Sequence, residues 1–210
     1  MDIIMGVDIG QRRESTAICV AEIEERRTAR RYIKHFAIHH LERMPIGTSY
    51  PDIAARLSEL ASSIHQRTRE LPDLWVDATG LGPPIIDLLR QETTGIDSIT
   101  PVYFTYGDRR TETGSISRPE IQLGKAFLVS RLQTLLQTRR LHLPRTLQAE
   151  ALARELLDFE IRVESDANER YGAFSVGPQD DLVTALGLAV QSDRPHSGPI
   201  SGALPRPPGL

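Results

Sequence analysis

"VDIGQRRESTAICV", residues 7–20, sets a carboxylate inside an apolar strand. Ile3, Ile4, Met5, Val7 and Ile9 predict a strand buried on both faces, the kind found in the middle of a sheet. Asp8 lies within that run, although aspartate is depleted in strands and is rarely buried without a partner. A carboxylate is tolerable there only if other parts of the chain offset its charge.

Working outward, residues 15–23 and 31–39 predict two more strands. "STAICVAEI" and "RYIKHFAIH" are joined by the charged turn "EERRTAR", which indicates an antiparallel meander with the first strand, residues 2–9. A polar loop with Pro45, Gly47 and Pro51 follows. Residues 51–71 then place Ile53, Leu57, Leu60, Ile64 and Leu71 at helical spacing, with Pro51 near the helix start. "LWVDA" (74–78) predicts a short strand, "TGLGPPIIDLLRQ" a glycine turn entering a helix, and "SITPVYFT" (98–105) a further strand. The polar stretch 106–119 predicts a loop or mobile hairpin, 120–139 a helix, "RLHLP" a short strand and 146–159 a helix. "EIRVESDANERYGAFSV" (160–176) predicts a hairpin, and "QDDLVTALGLAVQS" (179–192) a largely buried final helix. An antiparallel meander followed by alternating helices and strands predicts a mixed α/β sheet with helices on both faces. Residues 1–193 are expected to form one domain, and the Pro/Gly-rich residues 194–210 a disordered tail.

Composition narrows the function. The chain has 210 residues, 40% hydrophobic and 25% charged, as in an ordinary globular protein, with no apolar run long enough to span a membrane and no signal-peptide pattern. Its lone cysteine, Cys19, sits in the apolar run "AICVA" as core filler, and a reducing cytoplasm is the expected setting. A net charge of −3 argues against tight nonspecific nucleic-acid binding by charge alone. Lys34 and Lys125 are the only lysines. The paired arginines, among them Arg109-Arg110, suit phosphate oxygens but can equally reflect genome composition.

Asp8 finds its candidate partners at the ends of two other elements. With right-handed crossovers the strand ending at Asp77 lies parallel to and beside the first strand, so both carboxylates project from the carboxyl end of the sheet, where open α/β sheets bind ligands. Two carboxylates there repel unless a proton or cation sits between them, and hard oxygen donors suit Mg²⁺ or Mn²⁺. Asp180 and Asp181 open the last helix. One would serve as an N-cap with favourable charge on the helix dipole; two together after a Gly-Pro turn suggest that at least one faces the crevice.

"VDIG" opening a strand meander, "WVDATGLGPPIIDLL" and "QDDLVTALGLAV", in that order, resemble the nuclease domain of phage large terminases over roughly residues 1–192. The resemblance implies a ribonuclease H-like fold and an endonuclease that cuts concatemeric viral double-stranded DNA during genome packaging in the host cytoplasm. It implies Asp8, Asp77 and Asp181 as catalytic metal ligands for two Mg²⁺ or Mn²⁺ ions, with Asp8 bridging and Asp180 as accessory ligand. It also implies a packaging ATPase, portal and small terminase as partners. The family often has His before the paired acids, where this chain has Gln179. Lys125 resembles a lysine that the family places at the start of its helix, near the site; a solvated surface charge is the other reading. Arg109, Arg110 and Arg118 are candidates to guide a DNA backbone. Gly80 and Gly82 either admit substrate or shape the helix entry. His35, His39 and His40 lack metal-ligand spacing and read as surface or packing residues, and Trp75 as core.

The phosphate loop of an ATPase motor, GxxxxGK[ST], is absent: Gly124-Lys125 is followed by Ala126 and falls within the predicted 120–139 helix. The expectation is therefore a nuclease domain alone or a standalone relative served by a separate motor. Rival readings are a RuvC-type junction resolvase, a phosphotransferase of the actin and sugar-kinase superfamily, which needs a second phosphate loop, and a degenerate nuclease acting as a packaging scaffold.

Overall fold

The computed structural model describes residues 2–10, 14–28, 32–115, 118–166 and 180–191, with backbone only at 158–166. Its strands are β1 (Asp2–Asp8), β2 (Ala17–Arg27), β3 (Tyr32–Arg43), β4 (Asp73–Asp77), β5 (Ile99–Thr105), β6 (Arg110–Ser115), β7 (Arg118–Gly124) and β8 (Leu141–His142). The helices are α1 (Tyr50–Thr68), α2 (Pro83–Glu92), α3 (Lys125–Gln137), α4 (Leu147–Asp166) and α5 (Asp181–Ala189). All the strands join one sheet in the order β6-β7-β5-β4-β1-β2-β3-β8. β1, β2 and β3 form the expected antiparallel meander, while β4 pairs parallel to β1 on its other side and β5 parallel to β4. The mixed α/β sheet predicted from sequence is the one observed.

Residue parity on β1 explains its two-sided burial. Ile3, Met5 and Val7 join Ile53, Leu57, Leu74 and Leu89 in a core beneath α1 and α2. Ile4 points the other way, into a core with Cys19, Trp75, Leu128, Leu152, Leu182 and Leu186 beneath α3, α4 and α5. Ser49 caps α1, its hydroxyl oxygen accepting from the Asp52 amide at 3.3 Å, and Arg69 ends the helix in the left-handed region at φ 66°. α5 is buried along nearly its whole length, and Gly6 lets it approach. A Cβ at Gly6 would lie 2.1 Å from the Ala185 carbonyl oxygen and 2.5 Å from the Ala189 nitrogen. No helix among the described residues is long and apolar enough to cross a membrane.

Two expected elements differ. The helix predicted from Glu120 begins at Lys125, because residues 118–124 form β7, parallel to β5 and antiparallel to β6. Ile121 and Leu123 are buried with exposed Gln122 between them, a period-two pattern that the apolar run of the following helix obscures. Gly124 and Lys125 therefore stand at the helix start rather than within it. The hairpin predicted over 160–176 is wrong in its first arm, since residues 160–166 continue α4. Its turn and second arm, Gln179 and the tail at 194–210 fall outside the described residues.

Candidate active site

The sheet register builds one row of side chains at the carboxyl end of β1. Val7 pairs with Val76, so Asp8 and Asp77 end adjacent parallel strands. Asp8 pairs with Ala17 on β2, and Ala17 with Arg43 on β3. Directly paired residues point to the same face. Asp77, Asp8, Ala17 and Arg43 thus form a cross-strand row on the face covered by α5, since Gly6, two residues before Asp8, faces that helix. Close approach of α5 at Gly6 brings the helix start, with Asp180 and Asp181, over the row.

The acids respond to one another. Burial raises the Asp8 carboxyl well above the ordinary carboxylate range, and the negative charges of Asp77, Asp180, Asp181 and Glu14 raise it further. Asp77 is also raised by burial. Opposing this, Thr79 hydrogen-bonds its carboxylate, the backbone amide donating to Oδ1 at 2.8 Å, and the Lys125 charge lies nearby. Burial pushes Asp180 up to about 6, with Lys125 acting against the shift and Asp181 and Glu14 adding to it. Asp8, Asp77, Asp180, Asp181, Glu14 and Lys125 therefore share one electrostatic environment.

Asp181 has a different partner. Arg43 Nε donates to both of its carboxylate oxygens at 2.9 Å, and Arg43 Nη2 also donates to Oδ1. The same Nη2 donates to Glu155 of α4. Facing this fork, Asp181 spends its negative charge on β3, two strands from β1, while Asp180 is left among the crevice acids. Sequence reading missed Glu14, Arg43, Glu155 and Gly6. Glu14 was findable from its place in the turn that returns from β1 to β2, and Gly6 from its position two residues before the buried Asp8. Arg43 and Glu155 carried no local signal.

The remaining candidates separate by location. Lys125, at the start of α3, has Nζ 5.9 Å from the Phe104 ring centroid and acts electrostatically on Asp77 and Asp180. Arg110 opens β6 with its guanidinium 5.6 Å from the centroid of buried Trp75, and Arg109 and Arg118 lie exposed on the same hairpin. Gly82 is the backbone N-cap of α2 at φ 74°, the helix-entry role. His39 and His40 are hydrogen-bonded to Glu22 and Glu42, and His35 to His142, away from the acid row.

The donor set, carboxylates with one ammonium nearby, fits a hard divalent cation rather than a soft one. Among the described residues, however, no three His, Cys, Asp or Glu side chains already converge as a metal cage.

No protein-family model matches the chain, and no curated protein sequence does. Solved structures do. The large terminase nuclease from thermophilic phage G20c superposes with a TM-score of 0.56 at 22% identity, over 90% of this chain and 80% of that one. The human cytomegalovirus terminase nuclease domain superposes with a TM-score of 0.52 at 15% identity over 90% of this chain and 81% of that one. Its Mn-soaked form gives 0.53 at 14% over 89% and 80%. The chain has a terminase nuclease-like fold, of the ribonuclease H-like class.

Proposed function

We propose that this chain is a divalent-metal-dependent endonuclease that hydrolyses phosphodiester bonds of double-stranded DNA, and that its setting is the cutting of concatemeric viral DNA during packaging. The observation that carries the reading is the buried Asp8 carboxylate at the end of β1, which feels the negative charges of Asp77, Asp180 and Asp181 from the neighbouring strand end and helix start. The terminase nuclease-like fold supports it. A packaging ATPase, portal and small terminase as partners, and the host cytoplasm as location, follow from the same reading.

Asp8, Asp77 and Asp180 would hold Mg²⁺ or Mn²⁺, with Asp181 as a further donor. Bound there, the ions would activate a water and offset charge on the phosphate and the leaving 3′ oxygen. The chain's own residues do the rest. Thr79 fixes the Asp77 carboxylate by its amide. Lys125 sits where it can meet a phosphate oxygen beside Asp77 and Asp180. Arg109, Arg110 and Arg118 on the β6–β7 hairpin offer guanidinium groups to a DNA backbone beyond the scissile bond. The acidic balance of the whole chain is compatible with DNA as substrate because the ions neutralise the phosphate locally.

Plasmid nicking and linearisation with Mg²⁺, Mn²⁺ or EDTA test the proposal, comparing wild type with Asp8→Asn and Asp77→Asn. Metal-dependent cutting that disappears in both variants is expected. Wild-type protein that leaves plasmid intact at every metal concentration, or cuts equally in EDTA, would overturn it.

A further inference from the structure

Arg43 is the last residue of β3 and stands in the acid row, separated from Asp8 only by Ala17. Its Nε and Nη2 grip Asp181 at the start of α5, and Nη2 reaches Glu155 on α4. Three elements meet at one guanidinium. Glu155 is 9% exposed, and its other oxygen, Oε2, is buried without a well-formed hydrogen bond. The Asp181 amide neighbour is satisfied separately, Leu182 N donating to Asp181 Oδ1 at 3.0 Å. A buried carboxylate and a part-buried one with a single cation between them form a built arrangement, because removing that cation would leave the Glu155 charge desolvated beside a second negative charge.

Charge on the face beneath α5 is uneven. Among the described residues, Asp8, Glu14, Asp77, Asp180, Asp181 and Glu155 supply acid; Arg43 and Lys125 supply base. Lys125 acts on Asp77 and Asp180, whereas Arg43 is committed to Asp181 and Glu155. A divalent ion drawn into the crevice by Asp8 and Asp77 therefore meets one acid, Asp180, that feels the Lys125 charge without a fork on its oxygens, and another, Asp181, whose two oxygens are already forked. Bidentate guanidinium–carboxylate pairing is directional and strong for its class, so this competition is not trivial.

We infer that Arg43 is a positioning residue acting as a resident counter-ion: it withholds Asp181 from a divalent ion at the Asp8–Asp77 centre, and metal loading requires the ion to take Asp181 from it. Glu155 keeps the guanidinium in place when Asp181 leaves, so the fork reopens toward α4 rather than into the crevice. This inference rests on the metal reading of the acid row. By linkage, whatever Arg43 does to the ion, the ion does to the Arg43–Asp181 pair.

The test is Mn²⁺ binding to the full chain without DNA, followed by titration calorimetry and by the electron-paramagnetic signal of free Mn²⁺. Arg43→Met keeps the apolar stem and removes the charge; the double variant Arg43→Met with Glu155→Gln also removes the buried charge that would otherwise be stranded, and protects the test against a folding failure. The expected result is Mn²⁺ bound about tenfold more tightly in the double variant than in Glu155→Gln alone, with the gain abolished by adding Asp181→Asn. An unchanged isotherm in a folded double variant, or a gain that survives Asp181→Asn, overturns the inference. The metal reading itself is judged separately by wild type against Asp8→Asn. If those two bind Mn²⁺ alike, the metal reading fails and this inference falls with it; Asp8-dependent binding that is indifferent to Arg43 overturns the inference alone.

Discussion

Asp8 and Arg43 lie on one cross-strand row and face the same side of the sheet, with only the methyl of Ala17 between them. A fully buried Ala at that point leaves room for the start of α5 to settle over the acids. Ala17→Leu should crowd that space, lowering stability by about 1–3 kcal/mol, and weakening Mn²⁺ binding by separating α5 from β1. Chemical denaturation and a binding isotherm on the same preparation check both effects; a stable variant with wild-type Mn²⁺ affinity would contradict this account of the row.

Gly6 sets the distance between β1 and α5. Gly6→Ala puts a methyl 2.1 Å from the Ala185 carbonyl oxygen, so the helix must shift rather than a side chain turn aside. The expected loss is at least about 1–3 kcal/mol, read as a drop in Tm, with cutting reduced beyond what the folded fraction explains. An Ala variant with unaltered Tm would mean that α5 does not press on β1 in solution.

The raised acids make stability depend on pH in a defined direction. In the folded protein Asp180 is pushed up to about 6, and in the unfolded chain it titrates near 3.8. The folded state then binds more protons across that window, so without divalent ions stability should fall as pH rises from about 4 to 6. Asp180→Asn removes the part of this slope that Asp180 contributes. Denaturant midpoints at stepped pH in EDTA measure it, and adding Mg²⁺ at pH 7 should restore stability in wild type more than in the variant.

At the far edge of the sheet, His35 and His142 clip β8 to β3. Their rings are nearly parallel with centroids 5.2 Å apart, and His35 Nδ1 lies 3.0 Å from His142 Nε2. Burial lowers the His35 pKa, and the charges of Arg26, His142 and Arg140 lower it further, against a smaller opposing pull from Glu24. The stability held by neutral His35 is complete above the ordinary histidine value of 6.5 and is lost as pH falls through the depressed value. Hydrogen exchange at the Phe36 amide, which donates to the Arg140 carbonyl at 2.8 Å, should therefore speed up in acid beyond its intrinsic rate. His35→Gln should flatten that pH dependence; if it does not, the pair is not the clip.

Much of this architecture was legible from short sequence patterns. The alternation of β1 between two cores and the spacing of Ile53, Leu57, Leu60 and Ile64 each reflect local periodicity, so they could be read one segment at a time. β7 could not, because Ile121 and Leu123 run without punctuation into the apolar face of α3 and only the pairing with β5 separates strand from helix. The acid positions were visible as carboxylates at element ends. The different environments of Asp180 and Asp181 were not, since they depend on Arg43, 138 positions away in the chain from Asp181, and on Glu155 in another helix. Long-range charge pairing leaves no mark on local composition.

The two margins of the sheet set how copies of this protein meet one another. One margin is β8, only two residues long, and the other is β6, whose sequence "RTETGS" is polar throughout. Among the described residues β8 covers β3 only at Phe36 and Ala37, whereas β6 is short and polar and offers no long apolar rim on which a stray strand could dock. Strand-to-strand pairing between copies is therefore disfavoured at the β6 margin.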